Sequence, residues 1–97
     1  FVPFFGIPAA TITVTTTLAN MAGSIVVPFI QTRLPGSQGY ALRLYPALAD
    51  FPGESPEADS AQINAFIEAR VREQPEQYLW AHRRFKTRPP GMPSLYD

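Results

Sequence analysis

Apolar and polar positions change their spacing along this chain, and the changes mark out short elements. Phe1 to Phe5 is an apolar run stopped by Gly6, the pattern of a short buried strand. Thr11-Ile12-Thr13-Val14-Thr15 alternates strictly, as a half-buried strand does. Thr15 to Thr17 also lead into Leu18-Ala19-Asn20-Met21-Ala22 and then Gly23. That order reads as a hydroxyl cap, a helix over about 16–22 and a glycine stop. The two patterns compete for Thr13 to Thr15, and periodicity does not choose between them.

Between Ser24 and Thr32, the residues Ile25, Val26, Val27, Phe29 and Ile30 favour a strand. Pro28 lacks an N–H, which places that strand at an edge or gives it a bulge. Leu34-Pro35-Gly36-Ser37-Gln38-Gly39 is turn chemistry, and Tyr40 to Tyr45 alternates again. Together these predict an antiparallel β-hairpin over about 24–46. Pro46, Pro52 and Pro56 punctuate a loop. A helix over about 57–73 follows, with Ile63, Phe66, Ile67 and Val71 on one face and Glu68, Arg70, Arg72 and Glu73 mostly on the other. Asp59 and Gln62 have capping-box spacing, while Ser55-Pro56 offers an earlier start. Pro75 ends this helix and opens a short one over about 75–81. Beyond Thr87, repeated proline and glycine predict an extended tail. The fold class is α/β: a small mixed sheet containing the hairpin, with helices packed on it, in one domain over 1–97.

Composition narrows the function. The 97 residues allow one modest core, and 45% of them are apolar, so the chain reads as globular. A formal net charge of zero argues against nucleic acid as a partner. The absence of cysteine excludes disulfides, thiolate metal sites and a cysteine nucleophile. One histidine and scattered carboxylates form no metal motif, and the singly placed glycines form no phosphate-cradling loop or other cofactor signature. Ser37 and Ser94 sit in turn-like contexts without a histidine partner, so serine hydrolase chemistry has no support. The apolar opening is no membrane span, because Pro3 and Pro8 interrupt it well short of the roughly 20 residues required. A chain that opens on bare aromatic residues predicts a further segment in front of it.

The remaining chemistry lies near the end. Arg83, Arg84, Lys86 and Arg88 crowd beside His82, behind Tyr78 and Trp80. Such crowding repels unless anions compensate, and arginine's planar fork suits phosphate and carboxylate. One reading is an anion site; the other is a solvated basic stripe paired with Glu68, Glu73 and Glu76. His82 has Phe85, Lys86 and Thr87 at i+3 to i+5 and no acid to orient it, so it reads as a packed or hydrogen-bonded structural histidine rather than a base. The threonine run would present hydroxyls and N–H groups to an anion, although threonine's strand propensity explains it more simply.

The run Glu76-Gln77-Tyr78-Leu79-Trp80-Ala81-His82-Arg83-Arg84-Phe85-Lys86-Thr87-Arg88-Pro89 closely resembles the C-terminal signature of the lipid A biosynthesis lauroyl/myristoyl acyltransferases. Phe1 to Thr11 resembles the segment that family places near its acceptor site. Ala22 to Phe29, Gly39-Tyr40 and Asp50-Phe51-Pro52 agree in order, so the resemblance covers nearly the whole chain. It implies the C-terminal part of an acyltransferase fold. The implied activity is transfer of a fatty acyl chain from acyl carrier protein to a Kdo-linked lipid A precursor at the cytoplasmic face of a Gram-negative inner membrane, without a cofactor. In the family, a histidine paired with an acid five positions on deprotonates the acceptor hydroxyl. Thr87 stands where that acid would follow His82, so the resemblance implies that the pair, and the membrane anchor of the full-length protein, lie upstream of this chain. No catalytic residue is therefore expected here. The substrate-binding residues it implies are Arg83, Arg84, Lys86, Arg88, Thr11, Thr13 and Trp80, facing the anionic acceptor or the acidic carrier protein, or holding the tail to the rest. Val14 and Asn20 depart from the family's usual glycine and basic residue, which weakens the case for Thr11 and Thr13. The alternative is a non-catalytic module that binds anionic glycolipid or acyl carrier protein.

Overall fold

A computed structural model describes residues 1–96. Strands β1 (Val2–Phe4) and β2 (Ile7–Ala9) are joined by Phe5-Gly6, which sit at φ 52° and 74°. Positive φ at both central residues is what a type I′ two-residue turn demands. The register pairs Val2 with Ala9, Pro3 with Pro8 and Phe4 with Ile7. Opposite residues in an antiparallel pair alternate between bonding each other and pointing away. Two facing prolines have no N–H to exchange, so theirs is the outward pair. Their carbonyls are taken from outside the ladder, Pro3 by Asn64 Nδ2 at 3.2 Å and Pro8 by Arg88 Nη1 at 3.1 Å.

The competition at Thr13 to Thr15 resolves as helix. Helix α1 (Val14–Ala22) begins two residues before the expected start and ends at Gly23, at φ 61°, whose N–H reaches Ala19 O. The alternating Thr11 to Thr15 run forms no strand, and Ile12 is 80% exposed. A strand there would need a neighbouring edge, and the carbonyls just before it are occupied by arginine side chains. The helix is inside out: Thr16 and Ala19 are buried, while Val14, Leu18 and Met21 face outward.

The predicted hairpin forms from β3 (Phe29–Arg33) and β4 (Tyr40–Leu44), paired from Phe29↔Leu44 to Arg33↔Tyr40. Its loop carries a 3-10 turn at Pro35–Ser37, closed by Leu34 N–H to Gly39 O at 2.8 Å. The strand starts just past Pro28. Residues before it pair only irregularly, through Tyr45 N–H to Pro28 O and Leu48 N–H to Val26 O, both 2.9 Å. The α/β class holds, with the strands divided into two separate antiparallel pairs.

Helix α2 (Pro56–Glu73) takes the earlier of its two candidate starts. Ser55 Oγ accepts the Ala58 N–H at 3.1 Å, and Pro56 occupies the first turn. Asp59 is therefore not a cap but an interior residue, and it is 2% exposed. Glu57 at the helix start and Arg72 at its end complement the helix dipole. The apolar face predicted for this helix is only half right. Val71 is buried, but Ile63, Phe66 and Ile67 are half-buried, and the fully covered seam is Asp59, Ser60 and Asn64. Asn64 reaches Pro3 O, and Glu68 accepts the Phe5 N–H, so the seam docks onto backbone that apolar groups could not satisfy.

The helix expected over about 75–81 is limited to one 3-10 turn, Pro75–Gln77. A longer α-helix would give Pro75 O to the Leu79 N–H. Instead Tyr78 N–H (3.2 Å) and Trp80 Nε1 (2.6 Å) take that oxygen. Tight turns then carry the chain back across β1 and β2. The core is small: Val2, Phe4, Ala9, Ala19, Phe51 and Val71. Phe4 joins it to the tail through the rings of Tyr78 and Phe85, at 6.2 and 6.1 Å.

Candidate anion site in the C-terminal segment

Turns at Leu79–His82, His82–Arg84 and Arg83–Lys86 fix which way each cation leaves the tail. Arg84 turns inward. Its Nη1 donates to Ala10 O at 2.7 Å and its Nη2 to Thr11 Oγ1 at 2.9 Å, and its Cζ lies 5.3 Å from the Phe4 ring centroid. Arg88, four residues on, donates to Pro8 O at 3.1 Å and Pro93 O at 3.2 Å. These two guanidiniums take carbonyls two residues apart on and just after β2. They close the open edge of the sheet as a neighbouring strand would.

Thr11 is a junction rather than a free hydroxyl. It donates to Ala9 O at 3.0 Å and receives Arg84 and, at 3.4 Å, Asn64 Nδ2. Thr13 lies apart from the tail: it is exposed at the head of α1, where its carbonyl accepts the Thr17 N–H and hydroxyl. Of the seven candidate residues, Thr11, Arg84 and Arg88 are thus engaged within the fold.

Arg83 and Lys86 point out. Both are exposed, and among the described residues neither side chain hydrogen-bonds or ion-pairs. Arg83 lies over the Tyr96 ring, 5.5 Å from its centroid. Trp80 is 63% exposed and packs edge-on against Tyr78 at 4.9 Å. Phe4, Tyr78, Trp80, His82, Arg83 and Tyr96 line an open cleft of about 410 Å³. The acids that would have neutralised a plain basic stripe are used elsewhere. Glu68 pairs with Arg72 at 3.4 Å and Glu73 with Arg70 at 3.1 Å, both within α2. The stripe paired with Glu68 and Glu73 is thereby overturned, and Glu76 makes no ion pair among the described residues.

His82 is exposed, and its side chain makes no hydrogen bond among the described residues, so it is neither packed nor bonded as the sequence suggested. The reason is local: the His82 N–H bonds Leu79 O at 3.2 Å, and this turn carries the ring to the mouth of the cleft. With no carboxylate among the described residues to orient it, the histidine lacks a base's partner. The arrangement suits recognition: Arg83, able to meet phosphate or carboxylate oxygens, lies beside aromatic faces on which a ring can stack, and Lys86 is a second exposed cation three residues on. Sequence reasoning passed over Asn64 and Tyr96, and it read Asp59 only as a helix cap. Tyr96 accepts the Phe85 N–H on its hydroxyl at 3.0 Å and gives Arg83 its ring. A polar residue on the apolar stripe of a helix is the one signal that could have marked Asn64.

A model of the family described as bacterial lipid A biosynthesis acyltransferase matches residues 1–87. The chain is 45% identical over 97 residues to the lipid A biosynthesis lauroyltransferase of Escherichia coli (strain K12), covering 99% of this chain and 32% of that protein. It is 39% identical to the lipid A biosynthesis palmitoleoyltransferase of the same organism, covering 99% of this chain and 31% of the relative. A lipid A biosynthesis acyltransferase of Haemophilus influenzae is 39% identical over 104 residues, at 100% and 32% coverage. The chain therefore spans about a third of the length of the curated relatives it matches. The match of the family model through the hairpins, both helices and the basic tail establishes that this chain belongs to the bacterial lipid A biosynthesis acyltransferases.

Proposed function

We propose that this chain supplies the acceptor-binding face of an acyltransferase that moves a fatty acyl group from acyl carrier protein to a Kdo-linked lipid A precursor, at the cytoplasmic face of the inner membrane. The observation that carries the reading is Arg83, exposed in the cleft with Trp80 and, like the exposed Lys86 three residues on, without an acidic partner among the described residues, in a lipid A acyltransferase chain. An acceptor bearing phosphates and acidic sugars offers the oxygens those cations lack and rings for the aromatic wall. Arg84 and Arg88 act one step back, holding the segment on β2, and Thr11 completes that grip.

His82 without an acid carries no proton transfer in this reading. The acid–base pair belongs to a part of the full-length protein outside these 97 residues, and the chain alone is inactive. Acyl transfer from acyl carrier protein to the precursor should be measured on this chain and on the longest product of its gene. Turnover is expected only from the long form, and Arg83→Ala with Lys86→Ala should raise its KM for the acceptor about ten-fold or more. Turnover by the short chain would overturn the assignment of chemistry elsewhere. Binding of the precursor without turnover by the long form would favour the non-catalytic module instead.

A further inference from the structure

We infer that the cleft between the β3–β4 hairpin and the Pro75–Gln77 turn is a second sugar subsite for the acceptor, in which Arg33 holds an acidic group. This subsite rests on the acceptor reading above and adds to it a cation from outside the tail. The register places Arg33 directly opposite Tyr40. Facing residues of an antiparallel pair put their side chains on one face, and the next β3 residue on that face is Gln31. Gln77 fixes this end of the hairpin against the tail. Its Oε1 accepts the Arg33 N–H at 3.1 Å, and its Nε2 donates to Arg33 O at 3.2 Å, as a neighbouring strand would. Both bonds are to backbone, so the guanidinium stays free. Arg33 is exposed, and among the described residues its side chain makes no hydrogen bond or ion pair.

Gln31, Arg33, Tyr40, Glu76 and Tyr78 line an open cleft of about 590 Å³. Its walls suit a saccharide: two phenol rings for apolar sugar faces, an amide and a carboxylate for hydroxyls, and one guanidinium for an acid. Glu76 decides between partners. It shares the cleft with Arg33 yet makes no ion pair among the described residues. An acidic protein surface would set its own carboxylates against that one, whereas a sugar gives it a hydroxyl and keeps the acid for Arg33. Tyr78 lines both this cleft and the one that holds Arg83 and Trp80. The two clefts therefore meet at one ring, an arrangement that suits a single molecule carrying acidic groups on linked sugars.

The test is steady-state acyl transfer by the longest product of the gene, with the Kdo-linked precursor as acceptor. Arg33→Gln, and separately Glu76→Ala, should each raise the KM for this acceptor about ten-fold while leaving kcat and the KM for acyl carrier protein within about two-fold. Two further acceptors, one without the Kdo sugars and one without the phosphates, identify the acid. The R33Q effect should vanish on whichever acceptor lacks the group that Arg33 holds. An effect that persists on both would make Arg33 a structural residue and overturn the subsite. A rise in the KM for acyl carrier protein instead would give Arg33 to the donor and overturn it as well. An unchanged acceptor KM in R33Q and E76A, beside a raised one in the Arg83 and Lys86 variant, would remove this subsite and leave the acceptor reading standing. If no variant moved the acceptor KM, both would fall.

Discussion

Asp59 is the residue around which three separate stretches meet. Its Oδ1 accepts the Gly53 N–H at 2.6 Å and its Oδ2 the Thr16 hydroxyl at 3.1 Å, so one carboxylate joins the loop, α1 and α2. A buried carboxylate is costly unless its oxygens are bonded, and here both are. Asp59→Ala would leave the buried Thr16 hydroxyl unpaired and release the Gly53 N–H, and it should destabilise the chain by about 2–3 kcal/mol, read as a lower urea midpoint at constant slope. Gly53 is held to the same contact from the other side. A Cβ there would lie 3.0 Å from Asp50 O and from Asp59 Oδ1. Gly53→Ala should therefore cost about 1–2 kcal/mol by the same measurement, as overpacking does. The sequence offers Asp59 as a cap because spacing alone cannot distinguish a carboxylate facing its own helix start from one facing a neighbouring loop.

Among the elements, those governed by short-range chemistry are legible. The β3–β4 hairpin follows from alternation on either side of Pro35-Gly36, and the α2 start follows from Ser55-Pro56. Elements decided by partners distant in sequence are not. Trp80 is a good helix-length distance past Pro75, yet its indole takes the carbonyl that would have propagated the helix. The basic tail shows the same limit. Four cations in six positions look equivalent as a string, but the fold divides them into two that close the β2 edge and two that face outward. This division predicts different consequences for neighbours in sequence. Arg84→Ala loses bonds to Ala10 and Thr11 and the stacking on Phe4, so it should lower stability by about 1–2 kcal/mol and raise amide exchange in β2 and the tail. Arg83→Ala should leave both within about 0.5 kcal/mol of the parent. Equal exchange in the two variants would contradict the clamp.

At the scale of the whole molecule, the decisive quantity is surface. The chain exposes 7046 Å² at 10.7 kDa, where a compact monomer of that mass exposes about 5500 Å². Its radius of gyration is 15.3 Å against about 13 Å for a compact domain of similar length, and it is only 18 Å thick along its shortest axis. Two hairpins that share no strand and a core of six apolar residues explain the shape: α2 packs on β1, but the outer face of β4 lies open. The excess, on the order of 1500 Å², is about twice the roughly 800 Å² that one partner contributes to a standard specific interface. The apolar face of α1 and the outer face of β4, with Tyr40, Leu42 and Leu44 each about two-thirds exposed, supply much of it. Folding must offset backbone entropy with buried area, and a chain so thin buries little. The isolated 97 residues should therefore unfold with a free energy below about 5 kcal/mol, at the low end for folded domains. Urea titration of the isolated chain measures this. A stability near 10 kcal/mol would mean that the two hairpins and two helices are self-sufficient. The exposed stripe on α1 would then be incidental to folding rather than a surface whose covering completes it.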